Sequence, residues 1–216
     1  MNEMLDAKLE KAKRDVTEMG LHSRGMLSDA VRSFCERDTM LADNVYARRK
    51  QLSEMDFGIE KRLLRILSLY QPVACDLRAI MCMYQMSNSF FRIGRNAKEI
   101  AKLANEMPEE PHLEIAESIG RMACEVDMML ESVISAFGSG DVSLLHDFSK
   151  RDDSIDTIYR RIYNESMMNI THDLSAAGRS MEYVLVSRFL ERCGDHACLM
   201  AEKIIYMYTG EREEIT

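Results

Sequence analysis

From Val186 through Leu190, Cys193, Ala197, Met200 and Ile204 the apolar positions step by three and four residues. That spacing lines one face of an α-helix and seats it in a bundle. Good helix formers run on for about 30 residues at a time, or about 45 Å of helix. The interruptions are few. A first helix is expected from about Glu3 to Glu36, ending before Arg37-Asp38, and a second from there to about Tyr70, where Gln71-Pro72 forces a turn. Gly58 is expected to loosen this second helix by about 1 kcal/mol. A third helix is expected from Pro72, in its first turn, to Asn105. Met107-Pro108-Glu109-Glu110-Pro111 punctuates the midpoint, and a fourth helix is expected from Pro111 to Phe137, stopping at Gly138-Ser139-Gly140. Asp141 is expected to cap a fifth that reaches His172, and Gly178 precedes a sixth ending near Thr209-Gly210.

The pattern occurs twice. Sliding the chain along itself lays Val31 on Ile134, Phe34 on Phe137, Asp38 on Asp141 and Leu52 on Ile155. Farther on, Phe91-Arg92-Ile93-Gly94-Arg95 falls on Glu191-Arg192-Cys193-Gly194-Asp195 with an offset three residues shorter, a difference that belongs in a loop. Self-similarity of this kind marks a copied structural unit. The expected architecture is all-α: six long helices in two tandem three-helix bundles, residues 1–106 and 107–216.

Composition agrees with helices: 3 Pro, no Trp and 18 Met, which fill irregular gaps between helices. Charge divides the halves. Residues 1–106 hold 18 basic and 15 acidic side chains, net +3, and residues 107–216 hold 10 and 21, net −11. Such a split argues against nucleic-acid binding, which wants a basic stripe along a whole face, and suits head-to-tail or partner contacts. The six cysteines show no C-x-x-C, no zinc spacing and no secretory signal upstream, so reduced thiols in a cytoplasmic protein are expected. No apolar run approaches the roughly 20 residues of a membrane span.

Candidate chemistry enters with two acidic pairs, Asp152 with Asp156 and Glu191 with Asp195. Residues four apart share a helix face, so each pair can aim two carboxylates at one point. Four oxygen ligands suit a hard or borderline cation; the bland reading is solvated surface charge. In the first copy the matching positions are Arg49, Ser53, Phe91 and Arg95. Arginine has no lone pair to offer a metal, so a metal site is expected in the second copy alone, with Arg49 and Arg95 supplying permanent positive charge in the first. Asp76 suits the positive end of a helix dipole, with Arg78 as its pairing partner. His196 points about 100° away from Asp195 and reads as a packing histidine, while Glu202 is either a supporting acceptor or solvated.

Leu69-Tyr70-Gln71-Pro72-Val73-Ala74-Cys75-Asp76-Leu77-Arg78 closely resembles the turn between the second and third helices of the PhoU family. So do Leu190-Glu191-Arg192-Cys193-Gly194-Asp195-His196-Ala197, Ala201-Glu202 and Tyr208-Thr209-Gly210-Glu211. The resemblance implies a cytoplasmic adaptor, a homodimer, that couples a phosphate ABC transporter ATPase to a sensor histidine kinase and keeps phosphate-starvation genes off in rich phosphate. It implies contact with the membrane only through partners, and no enzymatic activity. It also implies metal ligands at Asp152, Asp156, Glu191 and Asp195 for divalent or trivalent ions, including a multinuclear iron or zinc cluster. The alternatives are a metal-free helical scaffold and a carboxylate-bridged metalloenzyme. The latter wants Glu-x-x-His on each of two helices, a pair this chain lacks.

Overall fold

The computed structural model describes residues 3–107 and 115–215. Its elements are α1 (Glu3–Glu36), α2 (Thr39–Tyr70), α3 (Cys75–Glu106), α4 (Ala116–Ser139), α5 (Phe148–His172) and α6 (Ala177–Thr209), with 3₁₀ turns at Val142–Leu145 and Leu174–Ala176. Among the described residues there is no strand. The expected midpoint break at Pro108 to Pro111, and a start of the fourth helix at Pro111, lie outside the described residues.

Most boundaries follow the sequence, and the departures have local causes. Asp38 accepts the Leu41 amide at 2.9 Å and starts α2, while Arg37 at φ 58° turns the chain between α1 and α2. Helix α2 runs through Gly58 without a break. Helix α3 begins at Cys75 and not at Pro72, because Gln71 and Ala74 both sit at positive φ, 46° and 50°, and hold Pro72 in the turn. Asp141 caps the 3₁₀ turn, accepting from the Ser143 amide at 3.0 Å, and α5 begins only at Phe148. Asp173 does the same ahead of α6, so Gly178 lies inside that helix.

Helices α1, α2 and α3 pack on one another, as do α4, α5 and α6. The two trios then share a seam: α3 lies against α6 and α1 against α4. The centre is thus four helices, with α2 and α5 on opposite flanks. Contacts order both central pairs antiparallel. Arg78 reaches Met207 near one end of the α3 and α6 pair, and Asn96 reaches Cys193 farther along. Arg24 on α1 grips Asp127 on α4 through two bonds of 2.6 and 2.7 Å, and Lys13 lies over the Phe137 ring at the other end of α4.

One continuous apolar core extends from Leu5 to Ile205 and includes the whole α6 seam named above. It crosses the join between trios, where the buried Phe34 and Tyr183 rings meet edge to face at 5.5 Å. Met19, Met26, Met83, Met86, Met122 and Met129 are fully enclosed, the gap-filling role expected of them.

Two glycines register the duplication in space. A Cβ on Gly94 would fall 2.4 Å from Leu52 Cδ2, and one on Gly194 would fall 3.1 Å from Ile155 Cδ1. Both are places where the flank helix comes close to the central one, and Leu52 and Ile155 are the same position in the two copies.

Candidate functional site: a carboxylate groove and its basic image

Helix α5 carries Asp152 and Asp156 and helix α6 carries Glu191 and Asp195. The missing side chain of Gly194 lets α5 approach, which sets Asp152 Oδ1 3.8 Å from where a Gly194 Cβ would lie. The structure therefore brings the four carboxylates together in the α5–α6 groove, close enough to repel. Burial, then Asp195, then Asp156 push the Asp152 carboxyl above its usual range. Burial and Asp195 raise Glu191 against the pull of Arg188. Burial and Asp156 raise Asp195, again opposed by Arg188.

Three further side chains shape the groove. Arg188 pairs with Glu191 Oε1, Arg160 pairs with Asp156 at 3.5 Å, and the buried Cys198 thiol donates to Asp152. Arg188 and Arg160 stand three and four residues from Glu191 and Asp156 on the same helices, while Cys198, one turn beyond Asp195, reaches Asp152 across the groove from α6 to α5. Helical spacing was the signal that would have found the two arginines. Glu191 Oε2 is buried and has no hydrogen-bond partner. An orphaned acceptor of this kind wants a donor or a cation. Among the described residues, no three His, Cys, Asp or Glu side chains already converge as a formed ligand set.

The neighbouring candidates resolve differently. His196 is partly buried with its Nδ1 unpartnered, and burial holds its pKa below the usual value, in keeping with a packing histidine. Glu202 Oε1 accepts the Ile215 amide at 3.1 Å and so ties down the chain after α6. Arg78 does not pair with Asp76. Its Nε reaches the Met207 carbonyl at 3.4 Å and its guanidinium stacks on Tyr206 at 5.5 Å, because the antiparallel α6 delivers the free carbonyls of its last turn beside the start of α3.

In the α2–α3 groove, the image of this site, Arg48 turns toward α1 to pair with Asp29 at 2.8 Å. Arg49 and Ser53 are left on the side of α3, where Lys98 lies over Tyr46 at 5.8 Å. Arg49 and Arg95 are exposed and, among the described residues, make no ion pair. Among the described residues no helix is long and apolar enough to cross a membrane.

The family model described as "PhoU domain" matches the chain twice, over residues 16–104 and 119–204. A Caulobacter vibrioides protein named phosphate-specific transport system accessory protein PhoU homolog is 32% identical over 198 residues, covering 91% of this chain and 86% of its own length. A Clostridium acetobutylicum protein of the same name is 26% identical over 213 residues, covering 98% and 97%. The crystal structure of PhoU from Pseudomonas aeruginosa superposes with a TM-score of 0.91 at 28% identity, covering 95% of this chain and 99% of that one. With the fold and two matches to the family model, one in each half of the chain, in agreement, this chain belongs to the PhoU family.

Proposed function

We propose that this protein is an accessory regulator of a phosphate-specific transport system, a cytoplasmic adaptor between the transporter ATPase and a sensor histidine kinase. The carrying observation is that likeness to proteins named as accessory proteins of a phosphate-specific transport system extends over nearly the whole chain, at 86–97% of the relatives' own length. The relatives bear names of accessory proteins and not of enzymes, which favours work through helix faces over catalysis. Deletion of the gene is expected to release phosphate-starvation genes in rich phosphate, and a tagged protein to co-purify with the ATPase or the kinase. Unchanged reporter expression in a clean deletion counts against the regulatory role.

Asp152, Asp156, Glu191 and Asp195 are the proposed ligands of a divalent or trivalent ion, or of a small iron or zinc cluster. Donor type fits, and so does the orphaned Glu191 oxygen; a bound cation would relieve the mutual repulsion of the quartet. The ion pairs to Arg188 and Arg160 favour the rival reading of a metal-free scaffold, since they already neutralise two of the four. Elemental analysis of protein purified without chelator separates the two. Retained metal in an Asp156→Asn, Asp195→Asn double variant removes these ligands from consideration.

A further inference from the structure

Where α6 ends, the chain turns back on itself. Gly210 holds φ 83°, and a Cβ there would stand 2.9 Å from Arg78 Nη1, so the reversal is made tightly against α3. The segment that follows runs back along the helix it has just left: the Ile215 amide donates to Glu202 Oε1 at 3.1 Å, two turns upstream of Thr209. Beyond the turn it is held lightly. Besides that bond, the Arg212 guanidinium lies 5.7 Å from the centre of the Tyr206 ring, and Ile215 packs on the apolar core. Glu211, Arg212, Glu213 and Glu214 are exposed, and among the described residues none of them forms an ion pair. The segment is laid on the helices and not built into them.

Beneath it lies a groove between α3 and α6 with about 350 Å³ of open space. Met81, Cys82 and Gln85 line it from α3 and Lys203 and Tyr206 from α6, while Arg212, Glu213 and Glu214 close it from the segment's side. Three kinds of recognition are set out along this groove. Tyr206 offers an aromatic face to a cation, Lys203 offers an ammonium to carboxylates, and Glu202 offers an acceptor to a backbone amide beside the apolar core. The segment supplies a match for each in order: Arg212 on Tyr206, then Glu213 and Glu214 in the groove with Lys203, then Ile215 at Glu202. Arg78 also stacks on Tyr206, at 5.5 Å from within the fold, so the ring keeps a support when Arg212 leaves.

We propose that the α3–α6 groove is a docking cleft for an extended segment of another protein, and that residues 212–215 fill it in cis as an autoinhibitory strap. The occupant it fits carries a guanidinium, then carboxylates, then a branched aliphatic side chain, because that is the pattern the groove already holds. Extended segments are recognised in this way, by spaced side-chain contacts with a main-chain hydrogen bond between chain and groove. A short tether gives the strap an effective concentration of about millimolar. Weak contacts therefore keep the groove closed, and a partner segment that adds contacts of its own opens it. The inference goes beyond the regulatory reading and needs neither that role nor a bound metal.

The test is a titration of the isotope-labelled full chain with a peptide of residues 209–215, read by chemical shifts. In Arg212→Ala, Ile215→Asp, whose strap is released, the peptide is expected to bind about tenfold or more tighter than in the wild-type protein, because the tethered copy no longer competes. At saturation of the wild-type protein, the Ile215 amide signal moves to the position of an unstructured chain. A peptide carrying the same two substitutions binds neither protein. Within the released variant, Lys203→Glu and Tyr206→Leu each weaken the unaltered peptide. Equal affinity for the released and wild-type proteins overturns the proposal, as does equal binding of the substituted peptide. No binding to the released variant at about ten times the millimolar effective concentration is equally fatal. Should Tyr206→Leu lose helicity by circular dichroism, Lys203→Glu decides, and unchanged binding there removes the groove as the docking site.

Discussion

At the scale of single residues, the glycines of this helical chain sort by what surrounds them. Gly58 sits in mid-helix on α2 with nothing within 4 Å of an added Cβ, so Gly58→Ala removes backbone freedom from the unfolded chain and is expected to stabilise by about 1 kcal/mol. At Gly20 the added Cβ would meet the Phe90 ring at 2.8 Å. That ring is buried and rigid, so Gly20→Ala is expected to lose about 1–3 kcal/mol to overpacking despite the same propensity gain. Urea titration of the two variants should move the midpoint in opposite directions. The carboxylate quartet gives a prediction with a definite pH sign. Asp152, Glu191 and Asp195 titrate above their usual values in the folded protein, so the native state holds their protons more tightly than the unfolded chain. Their penalty is full at neutral pH, shrinks as pH falls through the raised values, and is gone below the ordinary carboxylate range near pH 4. In chelated protein Asp195→Asn should therefore stabilise the fold at pH 7 by less than about 1 kcal/mol after solvent screening, read as a higher melting temperature. The advantage should vanish toward pH 4; an advantage that persisted there would refute the repulsion.

At the scale of elements, the six helices were legible because apolar periodicity and the scarce Gly and Pro breaks agree over long stretches. What was not legible was how each helix begins. The fifth and sixth are each preceded by a 3₁₀ turn capped by an aspartate, Asp141 and Asp173, and from sequence such a cap cannot be told from the start of an α-helix. Pro72 read as a helix opener, but the left-handed Gln71 and Ala74 around it are a property of the turn as a whole. The quartet was legible through i, i+4 spacing, and its second-copy location through the duplication. Arg188 and Arg160 escaped because charges near a carboxylate are common on any helix, and Cys198 because its partner Asp152 lies on the neighbouring helix. Arg78 was misassigned to Asp76 because its partner lies 129 residues away, and only the antiparallel packing of α3 on α6 reveals it. Arg78→Lys keeps the charge but gives up the flat stacking on Tyr206 and the guanidinium geometry at the end of α6. It should cost about 1 kcal/mol and speed amide hydrogen exchange in the last turn of α6 while leaving the middle of that helix protected.

At the scale of the whole molecule, the two copies of the helical trio share a core. The buried surfaces that α1 and α3 turn toward α4 and α6 are continuous with the interior of each trio, and the join is reinforced by Arg24 on Asp127 and Glu131 and by the Arg78 guanidinium on the Met207 carbonyl at 3.4 Å. Splitting the chain at residue 106 would expose the apolar flanks that the other trio covers, including Phe34 opposite Tyr183. Because neither trio can reach its folded free energy without the other's surface, thermal unfolding is expected to be one transition, with helicity by circular dichroism and tyrosine fluorescence melting together. Tyr183 supplies the decisive variant. Tyr183→Ala leaves a void at the join, and truncating a buried aromatic there costs about 3–5 kcal/mol. If the trios are coupled, that loss lowers a single midpoint for both probes. If they are independent, two transitions separate, and the view of one shared core fails.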